Sequence, residues 1–192
     1  MIKVGLTGGI GAGKSMVCNI FSKLGIPVYV ADTEAKLLMN TNPAIRQQLL
    51  ALFGKNIYLE NDVLDRKKLS EIIFNDKIAL AKVNAIVHPI VRKHFDKWAD
   101  LQKSAYVIQE AAILFESGQN IHFDKIILLT APYEVKIERV MKRDNVSREK
   151  VIERMNNQLT DEEKILKSDF IINNDNISMV LPQVLDINKK LQ

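Results

Sequence analysis

The sequence predicts an α/β fold, a mostly parallel sheet covered by helices on both faces, and three observations predict it. Short apolar runs bounded by turn residues recur along the chain, helix-period segments lie between them, and a glycine-rich turn joins the first run to the first helical segment. Four runs read as buried strands: Ile2 to Thr7, Pro27 to Val30, Tyr106 to Glu110 and Lys125 to Thr130, with a weaker fifth at Phe170 to Asn173. A strand buried on both faces shows a continuous apolar run instead of alternation, as in a parallel sheet whose crossovers are helices.

The helical segments follow in order. The first covers 14–24. In the next, Asn42 and Pro43 supply an N-cap and first turn, Ile45, Leu49, Leu52 and Phe53 recur at helical spacing, and Gly54 closes it. Further helices are predicted across 66–74, 77–87, 90–102, 133–143, 148–158 and 178–190. Pro89 suits the first turn of the 90–102 helix, so His88-Pro89 reads as a junction between two helices. Thr160-Asp161-Glu162-Glu163 reads as a capping box before another short helix. The stretch 43–102 holds helices without a strand and is predicted as a helical excursion beside the sheet, with Trp98, Phe53, Phe74 and Phe95 in its core. One domain results: a core of 1–42, 103–132 and 165–192, the excursion at about 43–102, and a helical lid at about 133–164.

Composition narrows the function. With 192 residues, 47% apolar and 26% charged, the chain suits one packed domain and not a disordered or fibrous one. The net charge of 27 − 23 = +4 is not gathered into a basic run, which argues against a nucleic-acid partner and leaves small anionic ligands. Cys18 is the single cysteine, so an internal disulfide and a multi-cysteine zinc site are excluded, and a reducing, cytoplasmic setting is expected. Cys18 itself reads as a small buried filler. No apolar run approaches the roughly 20 residues that span a bilayer, and the start lacks the apolar stretch of a secretory signal, so no membrane association is expected. A monomer is the favoured state.

The chemistry enters at Gly8-Gly9-Ile10-Gly11-Ala12-Gly13-Lys14-Ser15, which matches G-x-x-x-x-G-K-[ST] between an apolar strand and a helix, the context a phosphate loop requires. Glycines let the backbone wrap an anion with its N–H groups inward, and the helix start adds its positive dipole end. Lys14 would reach the β and γ phosphates of a nucleoside triphosphate and the Ser15 hydroxyl would hold Mg²⁺. A GTP switch would carry an Asn-Lys-x-Asp segment, which neither Asn188-Lys189-Lys190 nor Asn75-Asp76-Lys77 supplies, so a small ATP-dependent kinase is the favoured branch.

Other polar residues carry two readings each. Asp32, at the end of the second predicted strand, either takes a proton from an acceptor hydroxyl or caps a helix starting at Thr33 to Lys36. Glu110, at the end of the third, either binds Mg²⁺ or caps the 111–117 turn. Arg139 and Arg143, four apart on one helix, with Arg148 and Arg154 beyond, suit a lid that closes over a triphosphate; the alternative is a solvated hairpin. His88 either packs or contacts the acceptor, and Phe115 and Glu116 either line the pocket or pack locally.

These residues, in this order, resemble the dephospho-coenzyme A kinases, P-loop kinases of the nucleoside monophosphate kinase-like superfamily. The resemblance runs through nearly the whole chain: Leu6 to Ser15, Asp32 after strand two, His88-Pro89, Ile113-Leu114-Phe115-Glu116, Arg139 to Asp144, Gln158 and Ser168 to Asn174. It implies a P-loop NTPase-type sheet and transfer of the ATP γ-phosphoryl group, with Mg²⁺, to the ribose 3′-hydroxyl of dephospho-CoA, the last step of coenzyme A biosynthesis. By the same resemblance Asp32 is the catalytic base, assisted by Lys14, Arg139 and Arg143, and the loop from Gly9 through Gly11, Ala12, Gly13, Lys14 and Ser15 to Met16 cradles ATP. The segment around Asn173-Asn174 would then lie near the adenine, the excursion would bind the acceptor with His88 and Glu116, and Ser15 and Glu110 would serve the metal. Two departures stand out: Val30-Ala31-Asp32 where the family commonly shows Asp-Ala-Asp, and Ala112 where it shows proline before Leu-Leu-Phe-Glu. A nucleoside or nucleotide kinase on the same fold, and a nucleotide-dependent interaction module, are the competing functions.

Overall fold

The computed structural model describes residues 1–192, apart from the side chain of Asn75. In chain order its main elements are β1 (Ile2–Gly8), α1 (Lys14–Lys23), β2 (Val28–Val30), α2 (Ala31–Thr41), α3 (Pro43–Phe53), α4 (Arg66–Asn75), α5 (Lys77–Asp100), β3 (Tyr106–Glu110), β4 (Lys125–Thr130), α6 (Tyr133–Asp144), α7 (Arg148–Met155), α8 (Asp161–Ile165), β5 (Phe170–Asn173) and α9 (Val180–Leu191). They form two compact units, one of Met1–Val30 with Gln102–Gln192 and one of Ala31–Leu101.

The first unit carries a five-stranded sheet in the order β2-β3-β1-β4-β5. Every pair is parallel. Register fixes where chemistry can sit: Leu6 lies opposite Glu110, Val30 opposite Glu110, Gly8 opposite Leu129 and Thr130 opposite Asn173, so the carboxyl ends of all five strands meet at one edge. Ligands of open parallel sheets bind at that edge. The apolar runs are explained by what covers them. Val4, Leu6, Ile108, Ile127 and Leu129 pack with Val17, Cys18 and Phe21 of α1 and Val184, Ile187 and Leu191 of α9. Leu114, Phe115 and Ile126 form a separate buried cluster.

The second unit is helical, and α2 belongs to it because it packs on α3 and α5; the compact division therefore falls after Val30, not near residue 43. Asn42 caps α3 by accepting from Ala44 and Ile45 N–H, with Pro43 behind it and Gly54 at the C-cap. Two expectations are corrected. The helices read at 77–87 and 90–102 are one helix, α5, with Pro89 inside it. An interior proline costs about 3 kcal/mol, but Ala79, Val83, Val87, Val91, Phe95 and Ala99 make one unbroken buried stripe across it, and that burial outweighs the lost N–H bond. Phe74 is 72% exposed and belongs to no core, whereas Phe95 is buried and stacks on Trp98 with ring centroids 6.0 Å apart. In the first unit α7 ends at Met155, short of 158, and Thr160 opens α8 through a complete capping box with Glu163.

Candidate active site

The turn between β1 and α1 has the geometry its glycines permit. Gly11 and Gly13 have φ of 82° and 102°, left-handed values that side chains resist. Space enforces the same choice: a Cβ on Gly11 would sit 2.4 Å from the Lys136 carbonyl oxygen, and one on Gly13 would sit 2.3 Å from Asn174 Nδ2. Helix α1 starts at Lys14 with no side-chain cap on its first amides. Uncapped amides at a helix start are the donors an anion accepts. Lys14 Nζ lies over the turn, donating to Gly8 O at 2.9 Å, and the Ser15 and Met16 side chains are exposed.

The charges around the helix start are legible in Cys18, one turn into α1. Its thiol is pushed up to about 12, first by burial and then by the negative charge of Glu110, with Lys14 pulling it down. Glu110 closes β3 and is 8% exposed. Ser15 and Glu110 together offer one hydroxyl and one carboxylate, both hard oxygen donors. Among the described residues no group of three or more His, Cys, Asp or Glu side chains is arranged to hold a metal. That donor set does not make an all-protein cage, but it fits Mg²⁺, which binds through one or two side-chain oxygens and completes its shell with water and substrate phosphate.

A second layer of residues fastens this turn to the chain beyond β4. Arg139 on α6 donates to Gly11 O at 3.4 Å and to Asn174 O at 3.1 Å, and it also reaches Asn176 Oδ1. Asn174 Nδ2 donates to Ala12 O at 2.7 Å. Gln158 Oε1 accepts from Ile10 N–H at 2.9 Å. Lys136 Nζ meets Asp161 Oδ2 at 2.8 Å, with side chains 9% and 16% exposed. Between these contacts opens a cleft of about 480 Å³, lined by Gly9, Tyr133, Lys136, Gln158, Thr160 and Asp161 among others.

The residues singled out from sequence divide accordingly. Lys14, Ser15, Glu110 and Arg139 gather around the turn. Arg143 does not join them: it is 61% exposed and its hydrogen bonds go to Asp144, which also accepts from Arg154. Arg148 is held bidentately by Glu134. Glu116 holds the far limb of this segment, accepting Leu159 N–H at 2.9 Å and lying 2.8 Å from Lys164 Nζ. Lys164 is wholly buried, and its contact with Glu116 Oε1 is a charge pair without aligned hydrogen bonding, so Lys164 Nζ, like Glu116 Oε2, is buried without a hydrogen-bond partner among the described atoms. Asn173 accepts from the Thr130 hydroxyl and is bracketed by Gln183; its neighbour Asn174 is the one that meets the turn. Asn174 lies just past the end of β5, so the segment read from sequence reaches the turn through its second asparagine. Lys136 gave one signal, its place three residues before Arg139 on the same helix face.

In the helical unit, Asp32 is exposed and sits inside the first turn of α2, two residues past β2, so it does not cap a helix beginning at Thr33. His88 is half-buried. Burial pushes its pKa below 6.5 and the nearby Asp32 carboxylate pulls it back.

Comparison with known proteins agrees with this geometry. A family model described as dephospho-CoA kinase matches residues 2–179. The chain is 41% identical over 189 residues to a dephospho-CoA kinase from Porphyromonas gingivalis, covering 97% of this chain and 93% of that one. It is 38% identical over 187 residues to one from Bacteroides fragilis, covering 97% and 91%. A solved dephospho-CoA kinase from Campylobacter jejuni superposes with a TM-score of 0.72 at 30% identity, covering 98% of this chain and 96% of that one. A phosphate loop at the carboxyl edge of a parallel sheet and likeness along almost the full length of both partners lead to one conclusion: the chain belongs to the dephospho-CoA kinase family, and it is a P-loop kinase.

Proposed function

We propose that this chain transfers the γ-phosphoryl group of ATP to the 3′-hydroxyl of the ribose of dephospho-CoA, the last step of coenzyme A biosynthesis, as a cytoplasmic monomer. The observation that carries the reading is the uncapped start of α1 behind the left-handed Gly11 and Gly13, built into a chain of this family. The loop of residues 11–16 cradles the triphosphate, and Lys14 exchanges its bond to Gly8 O for the β and γ phosphates. Arg139 supplies further positive charge to the transferring group, Arg143 joins it by giving up its bonds to Asp144, and the segment around Asn173 and Asn174 borders the adenine. Ser15 and Glu110 would hold Mg²⁺, which would supply neutralising charge to the phosphates.

Asp32 orients the acceptor hydroxyl and takes its proton, so that the oxygen lines up with the γ-phosphorus. His88, whose pKa burial lowers, contacts the acceptor beside Asp32, and Glu116 acts by fixing the turn from which the far limb of the lid is held. The test is a coupled ATPase assay over pantetheine-containing and nucleoside acceptors, with the product position assigned by phosphorus NMR. ATP consumption should appear only with dephospho-CoA; a faster nucleoside acceptor would reject the reading. Asp32→Asn should bind ATP as the wild type does and lose about 10²- to 10⁴-fold in kcat, the range for removal of a general base. Full turnover in that variant would remove Asp32 from the mechanism.

A further inference from the structure

We propose that Lys136 is a further phosphoryl-contacting residue, held in reserve by Asp161 until the substrate phosphate arrives. The inference rests on the reading above that the turn at residues 9–15 holds ATP.

Four observations meet at one place. Lys136 Nζ lies 2.8 Å from Asp161 Oδ2, and the lysine side chain is 9% exposed. A long cation is seldom withdrawn this far from water unless a partner or a function holds it there. Second, the pair sits over the loop: a Cβ placed on Gly9 would be 3.5 Å from Lys136 Nζ and 3.6 Å from Asp161 Oδ1. Gly9 puts no side chain between them and the loop backbone. Third, the ammonium borders the cleft of about 480 Å³ that Gly9, Tyr133, Gln158 and Thr160 also line, so an anion has room to enter beside it. Fourth, the Lys136 carbonyl is packed against Gly11 closely enough that a Cβ there would reach 2.4 Å, which fixes this residue's backbone relative to the loop. A cation with its backbone pinned at the edge of an open cleft is preorganised, and preorganised charge is what stabilises a transferring phosphoryl group.

Asp161 explains why the lysine waits. A lone ammonium at this depth would be strongly disfavoured, and a carboxylate from α8 holds it until a better-charged partner competes. Arrival of the terminal phosphate replaces one carboxylate oxygen with phosphate oxygens and releases α8 from α6 in the same event. No covalent bond forms or breaks at Lys136, which acts by its charge alone.

The experiment separates this role from that of a structural tie. Lys136→Met should lower kcat about 100-fold, the scale of losing one charge donor to a transition state, while ATP Kd by isothermal titration calorimetry stays within threefold. Lys136→Arg, which keeps the charge, should recover at least tenfold of that loss. The double variant Lys136→Met/Asp161→Leu replaces the buried pair by apolar groups, a change that relieves a purely structural defect; it should fold with a wild-type melting temperature and remain about 100-fold slow. Recovery of kcat in the double variant, or full turnover in Lys136→Met, would overturn the proposal. Unchanged ATP affinity in Lys14→Ala would overturn it differently, by removing the loop reading on which it stands.

Discussion

At the residue scale, His88 shows how one position joins packing to protonation. Burial lowers its pKa from 6.5 and Asp32 only partly restores it. A histidine harder to protonate when folded than when unfolded leaves the unfolded chain binding more protons below pH 6.5, so stability rises with pH there. The contribution is complete above 6.5 and is lost as pH falls through the folded value. Melting temperature should therefore drop between pH 7 and pH 5 in the wild type, and that part of the drop should vanish in His88→Gln, measured by circular dichroism across the range. An identical pH profile in the variant would show that another group titrates. Sequence located His88-Pro89 but read a junction between two helices there, because the buried stripe that carries α5 through the proline is set by packing and not by local signals.

At the scale of elements, the segment 133–165 depends on a few buried ties. Glu116 and Lys164 are the deepest, and Glu116 also accepts the Leu159 N–H just before the α8 cap. Removing one partner of a buried pair strands the other charge and costs about 3–5 kcal/mol. Lys164→Met should thus lower the melting temperature by roughly 10 °C at this chain length. Lys164→Met/Glu116→Gln should regain most of it, since glutamine keeps the carbonyl acceptor for Leu159 and sheds the charge; a double variant as unstable as the single one would contradict this. The elements themselves were legible wherever a local signal carried them, as with Asn42-Pro43 and Gly54 around α3 or the Thr160 capping box. Legibility failed where distant burial decided, as in α5 across Pro89 and in the exposure of Phe74. The site followed the same division. The phosphate turn is local and was read in full, whereas the bond from Arg139 to Gly11 joins residues 128 apart in the chain and the one from Asn174 to Ala12 joins residues 162 apart.

At the scale of the whole molecule, ligand binding and folding are one equilibrium. Any ligand that binds only the folded chain stabilises it, by about 2.7 kcal/mol at 100 times its Kd. For a chain of this size that should raise the melting temperature by roughly 5–10 °C in saturating ATP. Lys14→Ala should lose most of the shift while keeping the melting temperature of the free protein within a few degrees, because Lys14 is half-exposed and its bond to Gly8 O stays within the turn. Differential scanning calorimetry with and without ATP checks both halves, and an undiminished shift in Lys14→Ala would place the nucleotide elsewhere.

The proposed acceptor ends in a free sulfhydryl, and enzymes that handle such molecules risk being captured by them through disulfide exchange. Exchange needs an ionised sulfur on the protein. The sole cysteine, Cys18, is 7% exposed and its thiol is pushed up to about 12 by burial and by Glu110, so it stays protonated at any pH where the cell works. Burial of Cys18 one turn into α1 thereby gives this protein chemical inertness toward its own cargo, and oxidised forms of that cargo should leave it unlabelled.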